Sequence, residues 1–100
     1  MTFSAWGFIY LGNGQEDAAV DRAVIDSGGL RTTIVAVPDR EKLLDIAVEL
    51  VESGAQSIEL CGAFTATDVA AVRVAIAHAV PVGAVRYDMD AVPQLAALFA

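Results

Sequence analysis

One hundred residues make a single-domain chain, long enough for one hydrophobic core and too short for a catalytic domain with a separate regulatory one. Hydrophobic residues make up 56% of it, an apolar excess that a domain this small is expected to bury partly at a subunit interface. Six basic residues against thirteen acidic ones give a net charge of −7, the wrong sign for nucleic acid or anionic membrane surfaces, and one cysteine cannot close an intramolecular disulfide.

The first run of β-formers is Trp6 to Leu11. The apolar stretch that contains it lacks a basic flank and a small-residue cleavage site, so neither export nor membrane insertion is expected, and a reducing, cytoplasmic setting fits the lone thiol. Gly12-Asn13-Gly14 follows. It resembles the start of a phosphate-binding loop but lacks the third glycine of a dinucleotide fingerprint, so a plain turn is the stronger reading. A short helix is expected from about Glu16 to Ile25, with Gly28-Gly29 turning the chain into a second strand, Thr32 to Val37.

Asp39 is placed to cap the clearest helix, whose Leu43, Leu44, Ala47, Leu50 and Val51 fall on one face and which Gly54 stops. Ser57 to Cys61 reads as a third strand. A helix should then begin near Thr65 or Thr67, with Asp68 in its first turn, and end before Pro81. That helix has almost no polar face, so the segment from Val69 to Ala79 is the expected oligomer contact, and His78 near its end reads as a capping or interface residue. Val82 to Tyr87 is the fourth strand, and a terminal helix after Asp90, read as its N-cap, carries Leu95, Leu98 and Phe99.

Strands recurring at about 25-residue intervals, with helices between them, imply an α/β fold with a four-stranded, mainly parallel sheet in β-α-β-α-β-α-β-α order. Two arrangements satisfy that pattern: an open flavodoxin-like sheet with helices on both faces, or half of a (βα)8 barrel. In either, a ligand site belongs outside the carboxyl ends of the strands.

The most unusual strand end is Glu59-Leu60-Cys61-Gly62-Ala63-Phe64-Thr65. Here a carboxylate interrupts an apolar strand and a thiol follows two residues later on the same face. A buried carboxylate needs a partner, and Arg86 near the end of the next strand is within reach if the two strands are neighbours. Glu59 is thus the candidate acid or base and Cys61 a candidate nucleophile, while Arg86 would clamp an anion among Gly62, Phe64, Asp88 and Tyr10. Tyr10, Trp6 and Phe64 would supply apolar walls. Asp88 with Asp90 has no third ligand, so no metal site is expected, and no nucleotide motif calls for a cofactor.

Ile58-Glu59-Leu60-Cys61-Gly62-Ala63-Phe64, preceded by Gly54-Ala55 and followed by Val80-Pro81-Val82-Gly83-Ala84-Val85-Arg86-Tyr87-Asp88, resembles a bacterial domain-of-unknown-function family of about this length. Members open with a strand like Ala5 to Leu11 and carry an Ile-Glu-Leu-Cys-Gly-Gly-Phe stretch, from which this chain departs at Ala63. The resemblance implies a compact parallel α/β fold and places Glu59, Cys61, Gly62 and Arg86 in the shared pattern. It implies no activity.

Two functional expectations follow. One is a cofactor-independent enzyme or binding protein for a small anionic metabolite, with isomerase- or lyase-type proton transfer at Glu59. The other is a non-catalytic oligomeric assembly module in which Glu59 and Arg86 form a structural ion pair.

Overall fold

A computed structural model describes residues 2–99. A five-stranded, mostly parallel sheet forms an open layer in the order β2-β3-β1-β4-β5. Its strands are β1 (Ala5–Leu11), β2 (Arg22–Ser27), β3 (Leu30–Val37), β4 (Ile58–Leu60) and β5 (Val82–Ala84). The helices are α1 (Arg40–Glu52), α2 (Ala66–Ala75) and α3 (Val92–Leu98), the last entered through a 3-10 turn at Met89–Ala91.

All four expected strands form and run parallel to one another, but β1 lies inside the sheet between β3 and β4, which rules out the sequential order of a half barrel. The fifth strand corrects the expected Glu16–Ile25 helix. Arg22–Ser27 is instead an edge strand antiparallel to β3, joined to it by a two-residue turn at Gly28 and Gly29. Both glycines have positive φ, 63° and 80°, as a tight hairpin turn of this hand requires. Upstream, the Asp17 carboxylate accepts from Ala19 N–H and the Asp21 carboxylate from Asp17 N–H. These local bonds hold the backbone in a turn and compete with helix formation.

The two central helices form as expected. Asp39 caps α1 by accepting from Lys42 N–H, and Thr65 and Asp68 form a reciprocal capping box on α2. α2 stops at Ala75, earlier than Pro81 would demand, because Ala77 and His78 adopt left-handed φ values of 53° and 56°. β5 is shorter than the run Val82 to Tyr87. Asp90 lies within the 3-10 turn and caps nothing, and Ala91 at the start of α3 makes no side-chain cap.

Both α1 and α2 pack on one face of the sheet and against each other. Ile9, Val35, Val37, Ile58 and Leu60 point to that face and join Leu43, Ile46, Leu50, Phe64 and Val72 in a single core. Gly7 lets α1 come close: a Cβ there would lie 2.6 Å from Leu50 Cδ1. Alternate residues of the same strands point the other way, and among the described residues no helix packs comparably on that side.

Candidate functional site

The carboxyl ends of β1, β3, β4 and β5 bring together the loops after Leu11, Val37, Leu60 and Ala84. Between β1 and β4 the chain's connections diverge, β1 leading outward to β2 and β3 and β3 returning across the sheet to β4. Open α/β sheets part their loops and open a crevice at such a point.

Cys61 lies there. It is half-buried against the core, its N–H donates to Ile9 C=O at 3.0 Å, and its Sγ accepts from Leu11 N–H at 3.4 Å. On the β1 side, Gly12 N–H bonds to Val37 C=O, and the chain then curls so that Asn13 N–H and Gly14 N–H both donate, at 3.0 Å each, to the two carboxylate oxygens of Glu16. The Glu16 carboxylate fills the space a side chain at position 12 would need. The Asn13 N–H, more than any other group, holds this carboxyl below the usual carboxylate range. Sequence reasoning treated the glycine loop as a turn and missed Glu16; the signal lay in a carboxylate two residues beyond Gly14, close enough to fold back onto it.

On the other side of Cys61, the Tyr87 ring lies over Gly62, 3.4 Å from where a Cβ would stand. Arg86 donates from Nη1 to Phe64 C=O and to Val85 C=O, both at 2.9 Å, and so ties the β5 exit to the loop before α2. Phe64 is buried in the core, with Arg40 over its ring, 5.9 Å from the centroid. Arg40 also donates to Asp68 at 3.2 Å and to Ala63 C=O, linking the amino ends of α1 and α2. Burial alone would raise the Asp68 pKa, but the Thr65 backbone N–H and Arg40 outweigh it and the carboxyl titrates below its ordinary value.

The expected contact between Glu59 and Arg86 does not form. Glu59 pairs in register with Phe8 on β1 and Gly83 on β5, is exposed on the face opposite α1 and α2, and has no ion-pair partner among the described residues. Arg86 spends its guanidinium on backbone carbonyls instead. Tyr10 shares the Glu59 face, whereas Gly62, Phe64, Cys61 and Arg86 cluster at the strand ends. Asp88 is exposed and its backbone carbonyl accepts from Ala91 N–H. Among the described residues no group of His, Cys, Asp and Glu side chains is arranged to hold a metal ion, and no helix is long and apolar enough to cross a membrane.

A family model matches residues 4–100, nearly the whole chain. The chain belongs to DUF6506, a family of unknown function. No curated protein and no solved structure matches it. The geometry of this chain concentrates polar backbone groups and a free thiol at the parting of β1 and β4.

Proposed function

We propose that this member of DUF6506 binds a small anionic metabolite at the carboxyl ends of β1 and β4. One observation carries the reading: Asn13 and Gly14 already present two backbone N–H groups to a carboxylate, that of Glu16, at the place where open α/β sheets receive ligands. The parallel strands are read as a flavodoxin-like set in which the first crossover helix is replaced by the β2 hairpin. Glu16 then stands in for the ligand's acidic group. Arg86, across the β4 loop, adds positive charge to the same end, and Tyr87 over Gly62 offers a wall for an apolar part of the ligand.

Proton transfer at Glu59 is not part of this proposal, because Glu59 faces the open side of the sheet and shares no hydrogen bond with Cys61 or Arg86. The setting we assign is cytoplasmic, where a single thiol stays reduced.

A thermal-shift titration with inorganic phosphate and small mono- and dicarboxylates tests the reading on the wild type, Glu16→Ala and Arg86→Ala. Emptying the nest removes an internal competitor, so Glu16→Ala should be stabilised at lower ligand concentration than the wild type, by the amount mass action gives. Arg86→Ala should respond less than either. If no anion shifts Glu16→Ala, the site does not exist.

A further inference from the structure

The sheet face opposite α1 and α2 carries Trp6, Phe8 and Tyr10 from β1, Thr32, Ile34 and Ala36 from β3, and Ala23 and Ile25 from β2. These residues share a face because each pairs in register with the others across the sheet. Glu59, beyond Phe8, is the one charged side chain on β4 that joins them, at the rim of the apolar area. Tyr10, Ala23 and Ile34, with Asp21 and Arg22, surround a hollow of about 290 Å³.

In a doubly wound sheet the connection from the first strand to its neighbour places a helix on this side. Here that connection is a loop and an edge strand, so the layer is missing.

The same chain carries a helix without a sheet. α3 has seven residues, none of them buried, and the one element it packs against appreciably is the 3-10 turn before it. Val92, Leu95, Ala96 and Phe99 recur at the spacing of one helical face, with Met89 at its near end. Met89 is 86% exposed, Leu98 73% and Phe99 80%. A helix of this length does not hold in water on propensity alone and takes its stability from burying its apolar stripe. Among the described residues none of that stripe is fully buried: Leu95 is half-buried and Val92 exposed.

We propose that the protein forms a two-fold dimer in which α3 of each copy lies across the open sheet face of the other, supplying the missing helical layer. Each copy then offers one uncovered sheet and one uncovered helix, and a two-fold axis satisfies both at once and closes the assembly. The areas set the strength of the contact. Strand spacing and rise make the face roughly 20 Å on a side, and a ten-residue arm about 15 Å long and about 10 Å wide covers about 150 Å² of it in projection. Two arms and the two strips of sheet beneath them make about 600 Å² in projection, and side-chain relief raises this toward the lower bound of specific interfaces, about 1,200 Å², the size of a weak, micromolar dimer. The outward face of α2, the contact expected from sequence, is weaker by comparison: Ala70, Ala71 and Ala75 accompany Val74 there, and small side chains bury little.

This inference does not depend on the anion site, and dimerisation can fail or succeed whatever the nest binds. Sedimentation velocity across micromolar concentrations is the test, on the wild type, Ile34→Lys on the face, Phe99→Asp on the arm and Val74→Asp on α2, with circular dichroism confirming that each is folded. Ile25→Lys, on the exposed edge strand, replaces Ile34→Lys if that variant does not fold. The wild type should sediment at twice the monomer mass and Val74→Asp should match it. Face and arm variants should each raise the dissociation constant by at least about 30-fold, the loss of a buried apolar side chain.

Mixing the face and arm variants should give a heterodimer tighter than either variant's homodimer and weaker than the wild type, because one of its two contacts is intact and the other carries both lesions. A monomeric wild type overturns the proposal. So does a dimer lost only with Val74→Asp, or a face variant and an arm variant that both dimerise as tightly as the wild type.

Discussion

Gly7→Ala probes the packing that sets which face of the sheet is closed. The new methyl would stand 2.6 Å from Leu50 Cδ1 and 3.4 Å from its Cγ and Cδ2, about an ångström inside an ordinary carbon contact at the nearest atom. Leu50 is 3% exposed and enclosed by the α1 core, so its methyl has no open space to swing into, and either its rotamer or the position of α1 must give. Overpacking of this kind costs about 1–3 kcal/mol, less up to about 1 kcal/mol regained by replacing a strand glycine.

The expected net loss is about 1–2 kcal/mol, a fall in melting temperature of roughly 4–16 °C for a domain of this size. Urea unfolding of Gly7→Ala, Leu50→Ala and the double variant measures it as a cycle. Leu50→Ala alone should cost about 2–5 kcal/mol, and the methyl added by Gly7→Ala should then fill part of the cavity, giving a coupling of about 1 kcal/mol or more. Phe8→Ala, one residue on and facing the other way, should show no coupling to Leu50→Ala. Strict additivity of Gly7→Ala and Leu50→Ala, or a Gly7→Ala protein as stable as the wild type, would refute the placement of α1 on this face.

Other consequences are open to measurement. Arg22 on β2 pairs with Glu49 on α1 while donating to Ala18 C=O, and the Arg22 side chain holds the Glu49 carboxyl below its ordinary value. A lowered folded pKa means stabilisation that is present above pH 4.5 and lost as pH falls through the folded value, so the stability gap between wild type and Glu49→Gln should close in acid. Because Glu49 is 45% exposed, the gap at neutral pH should be about 1 kcal/mol or less in urea titrations. Thr65→Ala removes one half of the α2 capping box and should cost about 1 kcal/mol by the same method. Gly29→Ala forces a side chain into φ 80° in the β2–β3 turn and should cost about 1 kcal/mol, with amide exchange accelerating first in Arg22–Ser27.

Much of the fold was legible because local chemistry and the global arrangement agree. Asp39 before an amphipathic run, and Thr65 with Asp68 before another, mark α1 and α2, since a cap satisfies orphan N–H groups wherever the helix packs. The parallel strands β1, β3, β4 and β5 are short apolar runs because a parallel strand under a helical layer must bury its interior. The resemblance to a small family of unknown function was equally legible, in the stretch from Ile58 to Phe64 and its flanks, and the match to DUF6506 over residues 4–100 bears it out.

Tertiary contacts decided the remainder. Arg22–Ser27 is a strand only because β3 offers it an edge across Gly28-Gly29, and an antiparallel ladder contributes nothing until both strands are present. Glu59 reads as a buried group in need of Arg86, but the alternation of a strand says which residues share a face and not which face is covered; the absence of a crossover helix left Glu59 in the open. Cys61 and Glu16 gained their hydrogen-bonding partners from strand order and from a backward fold of the loop, neither of which spacing along the chain encodes. Composition announced a surplus of apolar surface. Only the three-dimensional arrangement divided that surplus into a core on one side of the sheet and, apart from it, a half-buried aromatic face and a short helix with no fully buried residue, because burial depends on which layers the connections bring together.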